Sequence, residues 1–273
     1  MTTQKLPPES SFAPRRYRAL GSDGTIPPSL PDAFDMNFDV GDWAPSGEII
    51  LDDDRLETAR IIGHNNTDPR TKSYDILRTH LLQSMDLHNW HIVGITSPTK
   101  ACGKTLTSIN LALSIARQAN RAVLLVDMDL RKPQLASRLE LEPRYGLLDV
   151  LQGQVSALDA IYRVRAGNHQ VLVLPSEATE ASSEFMASPA MRTFILELRR
   201  TFQTHIVILD LPPLLVSDDV ISILPRIDST LLVTAVGTST PAEIEECGRH
   251  LQSTNLVRIV VNKAPVSAKA HYY

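Results

Sequence analysis

The stretch VGITSPTKACGKTLTSINLALSIA, Val93 to Ala116, decides the fold. It opens as a short apolar run, the pattern of a buried strand, and closes with apolar residues at helical spacing. Between the two stands Gly103-Lys104-Thr105. A loop joining a strand to a helix N-terminus turns backbone N–H groups and a positive dipole end toward an anion. In that setting Gly103 lets the backbone approach a phosphate, Lys104 supplies a cation for the β and γ phosphates, and Thr105 offers a hydroxyl to Mg2+. The pattern G-x-x-x-x-G-K-[ST] begins with glycine, whereas this chain has Pro98 there, and Ala101 and Cys102 make the loop bulkier than usual. The expected nucleotide contacts are Ala101, Cys102, Gly103, Lys104, Thr105 and Leu106.

Downstream the chain alternates. AVLLVD, VLVLPS, HIVILD, STLLVTA and RIVVNKA read as apolar strands, with helices such as PAMRTFILELRRTF and PAEIEECGRHLQST between them. Near-continuous apolar strands separated by helices predict an α/β fold, a mostly parallel sheet with helices on both faces. Upstream, TKSYDILRTHLLQSM places Tyr74, Leu77, Leu81 and Leu82 on one helical face. From Met1 to about Asp54 the chain is rich in Pro, Ser, Gly and Asp and has no sustained period. Residues 1–54 therefore read as a disordered arm, 55–266 as the nucleotide-binding domain and 267–273 as a flexible tail.

Composition narrows the functions. With 273 residues and 43% hydrophobic content the chain can build one large α/β domain. A formal net charge of -4 offers no global electrostatic match to nucleic acid. Two cysteines, Cys102 and Cys247, are too few for a disulfide framework or a four-thiolate metal site. With no apolar run of about 18 residues, a cytoplasmic chain is expected, reaching a membrane only through a partner.

Ligands of such sheets bind beyond the carboxyl ends of the strands. LLVDMDLRKP, Leu124 to Pro133, puts Asp127 and Asp129 at one such end, where an unpaired charge is costly. They need a cation, and Mg2+ bound with ATP supplies one. HIVILDLPP, His205 to Pro213, ends its apolar run on Asp210, the position of an acid that holds the metal directly or through water. Lys104, Thr105, Asp127, Asp129 and Asp210 together suit phosphoryl transfer, in which positioning and charge neutralisation do most of the catalysis.

ITSPTKACGKTLTSINLA, VLLVDMDLRKP and IVILDLPP resemble the Walker A, Walker A′ and Walker B motifs of bacterial tyrosine kinases, the BY-kinase branch of the MinD/ParA-like P-loop ATPases. YDILRT, GLLDVLQG and VLPS support the resemblance, which runs from roughly Arg55 to the C-terminus. It implies an ATP- and Mg2+-dependent autokinase that phosphorylates C-terminal tyrosines in a neighbouring subunit and regulates capsule or exopolysaccharide export. It also implies a homo-oligomer activated by the cytoplasmic tail of a membrane polysaccharide co-polymerase, hence peripheral to the inner membrane.

Carried over by position, the resemblance assigns Lys104 and Thr105 to the phosphates and Mg2+. Asp127, alone or with Asp129, would orient and deprotonate the tyrosine hydroxyl, Asp210 and Asp127 would serve the metal, and Asn262 in VVNKA would meet the adenine. Tyr272 and Tyr273, on a short APVSAKAH tether, are the expected acceptors. The family's oligomerisation helix reads E-x-x-R-x-x-R, whereas this chain has Lys72, Asp75 and Arg78, so that contact is not expected to carry over unchanged. The alternative is a MinD/ParA-like nucleotide switch without kinase activity, whose loop carries a second lysine where this chain has Thr99.

Overall fold

The structure is a computed structural model and describes residues 45–118 and 122–265. Its strands are β1 (Glu48–Leu51), β2 (Ile92–Thr96), β3 (Val123–Asp127), β4 (Tyr162–Ala166), β5 (His169–Leu174), β6 (Ile206–Asp210), β7 (Ser229–Ala235) and β8 (Asn255–Asn262). The α-helices are α1 (Asp53–Thr58), α2 (Lys72–His88), α3 (Lys104–Ala116), α4 (Leu135–Arg138), α5 (Leu147–Leu151), α6 (Ser182–Ala187), α7 (Pro189–Thr201), α8 (Asp219–Ile223) and α9 (Pro241–His250).

All eight strands form one sheet in the order β1-β4-β5-β3-β6-β2-β7-β8. Each neighbouring pair is parallel except β4 with β5, so β1 and β4 run against the other six. The mostly parallel sheet expected from the alternating pattern is what the chain forms. In β2, β3 and β6 every residue is buried, because helices cover both faces. Leu147, Met191, Phe194 and Leu198 from α5 and α7 pack on one face. Leu81 and Met85 of α2 and Ile109, Leu111 and Leu113 of α3 pack on the other.

The order β3-β6-β2 brings three carboxyl ends side by side at the middle of the sheet. Asp127, the last residue of β3, is the register partner of Asp210, the last of β6, and Asp210 also pairs with Ile95 of β2. This convergence sets the position of the site.

Residues 48–51, which the sequence placed in the arm, instead form strand β1, paired with β4. Neither strand has a buried-strand signature. β1 has four residues, and β4 reads YRVRA, with Arg163 and Arg165 alternating against buried Tyr162, Val164 and Ala166. Residues 1–44 of the arm, and the tail with Tyr272 and Tyr273, lie outside the described residues.

α2 meets α3 through two positions of the oligomerisation motif, Asp75, which departs from it, and Arg78, which matches it. Asp75 accepts from Arg78 Nη1 at 2.9 Å and from Ser114 Oγ at 2.7 Å, and it also pairs with Arg117. Arg78 Nη1 donates further to the Ser114 carbonyl at 3.0 Å. Asp75 and Arg78 are thus engaged within their own chain.

Candidate functional site

β2 leads into the loop 97–103, and α3 starts at Lys104. The segment after β6 braces this loop. Leu214 N–H donates to the Ser97 carbonyl at 2.8 Å and Leu215 N–H to the Pro98 carbonyl at 3.1 Å, while Thr96 Oγ1 donates to the Pro212 carbonyl at 2.7 Å. Pro98 therefore takes part through its carbonyl, for which its missing N–H is no handicap. The turn into α3 uses left-handed backbone at Ala101 (φ 62°) and Gly103 (φ 94°).

Gly103 is required for a second reason. Asn262 Nδ2 donates to the Cys102 carbonyl at 2.9 Å, and a Cβ on Gly103 would lie 2.2 Å from that nitrogen. Asn262, expected at the adenine, here ties the end of β8 to the phosphate loop, and its Oδ1 accepts from Lys263 N–H at 2.8 Å. Cys102 is buried, with its sulfur 3.5 Å from Ser239 Oγ, so it fills the loop from behind.

Lys104 lies among three acids. Its Nζ is 2.8 Å from Asp129 Oδ2 and 4.0 Å from Asp210 Oδ2. Burial works against the ammonium, yet Asp210, Asp129 and Asp127 outweigh it and hold the pKa above the ordinary lysine value. Asp127 is wholly buried. Its Oδ2 accepts from the N–H groups of Gln134 and Leu135, both at 2.9 Å, and its Oδ1 from Asp129 N–H at 3.2 Å. Burial, followed by the charge of Asp210 beside it, pushes the Asp127 carboxyl upward despite those bonds and the nearby Lys104. Burial raises Asp210 too, against Lys104 and the hydroxyls of Thr105 and Ser108. Ser108 Oγ donates to Asp210 Oδ1 at 3.1 Å.

Asp210 Oδ2 is buried and has no hydrogen-bond partner. An orphaned carboxylate oxygen next to the Thr105 hydroxyl fits a hard cation that brings its own phosphate and water ligands, which is the habit of Mg2+. Among the described residues no group of three or more His, Cys, Asp or Glu could hold a metal ion by itself.

Above the acids opens a cavity of about 900 Å³. Ala101, Gly103, Lys104, Thr105, Leu106, Asp129 and Asn262 form part of its wall, whereas Cys102, Asp127 and Asp210 lie behind it. The sequence-predicted residues are thus brought together in two layers, an inner acidic one and a wall that a ligand can touch. The wall also holds Thr58, Ala59 and Arg60, Arg131, Lys132 and Arg138, which sequence reasoning did not place there. Arg131 is held by buried Asp219, whose Oδ2 accepts from its Nε at 3.0 Å. The signal for Arg131 in the sequence is its place in the motif VLLVDMDLRKP, two positions after Asp129.

No family model matches the chain. It is 35% identical over 203 residues to EpsB of Ralstonia nicotianae, a protein named among the tyrosine-protein kinases; the match covers 72% of this chain and 26% of EpsB. The chain thus spans about a quarter of that relative's length. Tyrosine-protein kinase CpsD of Streptococcus pneumoniae is 27% identical over 201 residues, covering 72% of this chain and 86% of CpsD. Among solved structures, the kinase domain of Escherichia coli tyrosine kinase ETK superposes with a TM-score of 0.66 at 22% identity, covering 85% of this chain and 94% of that one. That likeness shows the fold, which solved MinD ATPases also share.

Proposed function

The chain is a homologue of the bacterial tyrosine-protein kinases, and from that premise we propose that it is an ATP-dependent protein-tyrosine autokinase acting in capsule or exopolysaccharide biosynthesis and export. The observation that carries the proposal is Lys104 at the start of α3 with Asp129 at 2.8 Å and Asp210 Oδ2, which has no hydrogen-bond partner, at 4.0 Å. An inner layer of this kind has a cation to lend to phosphates and a carboxylate that calls for a metal.

In this reading the loop N–H groups from Ala101 to Leu106 and the Lys104 ammonium receive the phosphate chain. Thr105 and Asp210 would hold Mg2+, with Asp127 behind them. When bound, the ion neutralises charge on the phosphate oxygens. Asp129 holds Lys104 in place and stands on the cavity wall beside it, where in this reading it meets the incoming hydroxyl. Asp127, with both oxygens bonded to backbone N–H groups, positions Asp129 rather than meeting the acceptor itself. Asn262 keeps the loop in shape and borders the nucleotide on the β8 side.

The acceptors in this reading are Tyr272 and Tyr273, phosphorylated in trans within a homo-oligomer. The activating partner is the cytoplasmic tail of a membrane polysaccharide co-polymerase, which would keep the kinase peripheral to the inner membrane. Among the described residues no helix is long and apolar enough to cross a membrane.

The test is incubation of the purified chain with Mg2+ and γ-labelled ATP, alone and with candidate co-polymerase tails, followed by phosphosite mapping. Label on Tyr272 or Tyr273 that vanishes in Lys104→Ala and in the double Tyr272→Phe/Tyr273→Phe variant is the expected result. Nucleotide hydrolysis with no labelled tyrosine under any of these conditions would leave the nucleotide switch as the function.

A further inference from the structure

Besides carrying Lys104, α3 holds the segment that follows α1. Asn110, fully buried, accepts through Oδ1 from the N–H groups of Ile62 and Gly63, both at 2.7 Å, and donates through Nδ2 to the Arg60 carbonyl at 3.1 Å. The approach is close enough that a Cβ on Gly63 would lie 2.1 Å from the Asn110 carbonyl oxygen. Ile61 and Ile62 are buried on either side of the contact. Arg60 follows the C-cap of α1: its N–H donates to the Glu57 carbonyl at 3.0 Å and the Ile61 N–H to the Leu56 carbonyl at 2.7 Å, and its φ of 58° is the left-handed turn that closes a helix in this way.

The side chain so presented is exposed on the wall of the cavity that Lys104, Thr105 and Asp129 also line. Among the described residues no acid forms an ion pair with it. Packing explains Ile61 and Ile62, and the end of α1 explains the backbone of Arg60, but neither explains a guanidinium on the cavity wall with no counter-charge. The α1 cap on one side and Asn110 on the other fix its backbone, so the side chain is carried from a set position on that wall. From this geometry we infer that Arg60 is a further phosphate-binding cation of the nucleotide cavity, contributed from outside the phosphate loop and held in place by Asn110. A guanidinium has the planar fork that matches phosphate oxygens. The inference rests on the reading of the cavity as a nucleotide site, and it does not need the kinase step.

Calorimetric titration of the full chain with Mg·ATP, Mg·ADP and adenosine tests it. Arg60→Ala is expected to lose about 10-fold to 100-fold in affinity for at least one of the two nucleotides while leaving adenosine unchanged, with Arg60→Lys recovering part of the loss. Arg60→Gly separates function from folding: it relieves the left-handed backbone, so its thermal midpoint should not fall, yet it should lose affinity as Arg60→Ala does. The assignment is overturned if the parent chain binds nucleotide and Arg60→Ala matches it within about twofold for both, or if adenosine affinity falls by the same factor. Nucleotide binding that depends on Arg60 in a protein that labels no tyrosine would end the kinase reading and leave this assignment standing. A parent chain that binds neither nucleotide would remove both.

Discussion

Asp127 and Asp210 close β3 and β6 as register partners, so two carboxylates lie side by side in the interior with Lys104 as their cation. Their first consequence is a pH dependence. Burial and the charge of Asp210 push Asp127 up to about 8, far above its ordinary value. Between the ordinary carboxylate range and about 8 the folded chain therefore keeps a proton that the unfolded chain has released. Stability falls as pH rises wherever the folded state binds more protons, by up to about 1.4 kcal/mol per pH unit for one proton. Lys104 does not offset this, because its raised pKa affects stability only above the lysine range. Urea denaturation of the metal-free and nucleotide-free chain from pH 5.5 to 8 should show the decline, and Asp210→Asn, which removes the like charge but not the burial, should make it shallower. A flat profile in the parent would rule out a proton retained on Asp127. The second consequence concerns Gly103, at φ 94° and within 2.2 Å of Asn262 for any added Cβ. Gly103→Ala should cost about 1–2 kcal/mol of stability from the backbone alone. Breaking the bond from Asn262 to the Cys102 carbonyl should weaken nucleotide binding as well, so denaturation and calorimetry check the two parts separately.

The elements that sequence reveals and those it conceals differ in what buries them. β2, β3 and β6 are apolar throughout because both faces are covered, and such runs are legible without a structure. β1 and β4 sit at the edge of the sheet, and Arg165 of β4 lies 3.8 Å from Glu48 of β1, so charged residues interrupt both patterns. The site divides in the same way. Lys104, Asp127, Asp129 and Asp210 each follow a strand or open a helix, and local spacing exposes them. Arg60 and Asn110 are 50 positions apart and become one feature only when α3 packs against the segment after α1. Their sole trace in the sequence is a polar Asn inside the apolar run INLALSIA. Asn110 thus joins two elements, and Asn110→Ala leaves the N–H groups of Ile62 and Gly63 buried without an acceptor. The expected loss is about 2–4 kcal/mol, measured by urea denaturation of the variant beside the parent. A loss below about 0.5 kcal/mol would mean that the segment is held by Ile61 and Ile62 alone.

At the scale of the whole molecule, charge is distributed against its own average. The chain carries a formal net charge of -4, yet Arg60, Lys100, Lys104, Arg131, Lys132, Arg138 and Lys263 line the cavity against Asp129 and Glu180. The convergence of β2, β3 and β6 gathers these residues from five separate segments, so the field belongs to the fold and to no single motif. A concave site with an excess of one sign of charge draws in ligands of the other and raises their arrival rate more than their residence time. The attraction acts across solvent, and salt screens it: the Debye length shrinks from about 10 Å at 0.1 M to about 3 Å at 1 M. Contacts formed inside the cavity, where Lys104 is buried, are screened far less. Stopped-flow binding of a fluorescent ATP analogue should therefore show an association rate that falls several-fold between about 0.05 and 0.5 M salt, with a dissociation rate that changes little. Reversing one wall cation away from the acids, Lys100→Glu, should lower the low-salt association rate and leave the high-salt rate near that of the parent. An association rate independent of salt would mean that the acidic exterior cancels the field of the cavity before a nucleotide reaches it.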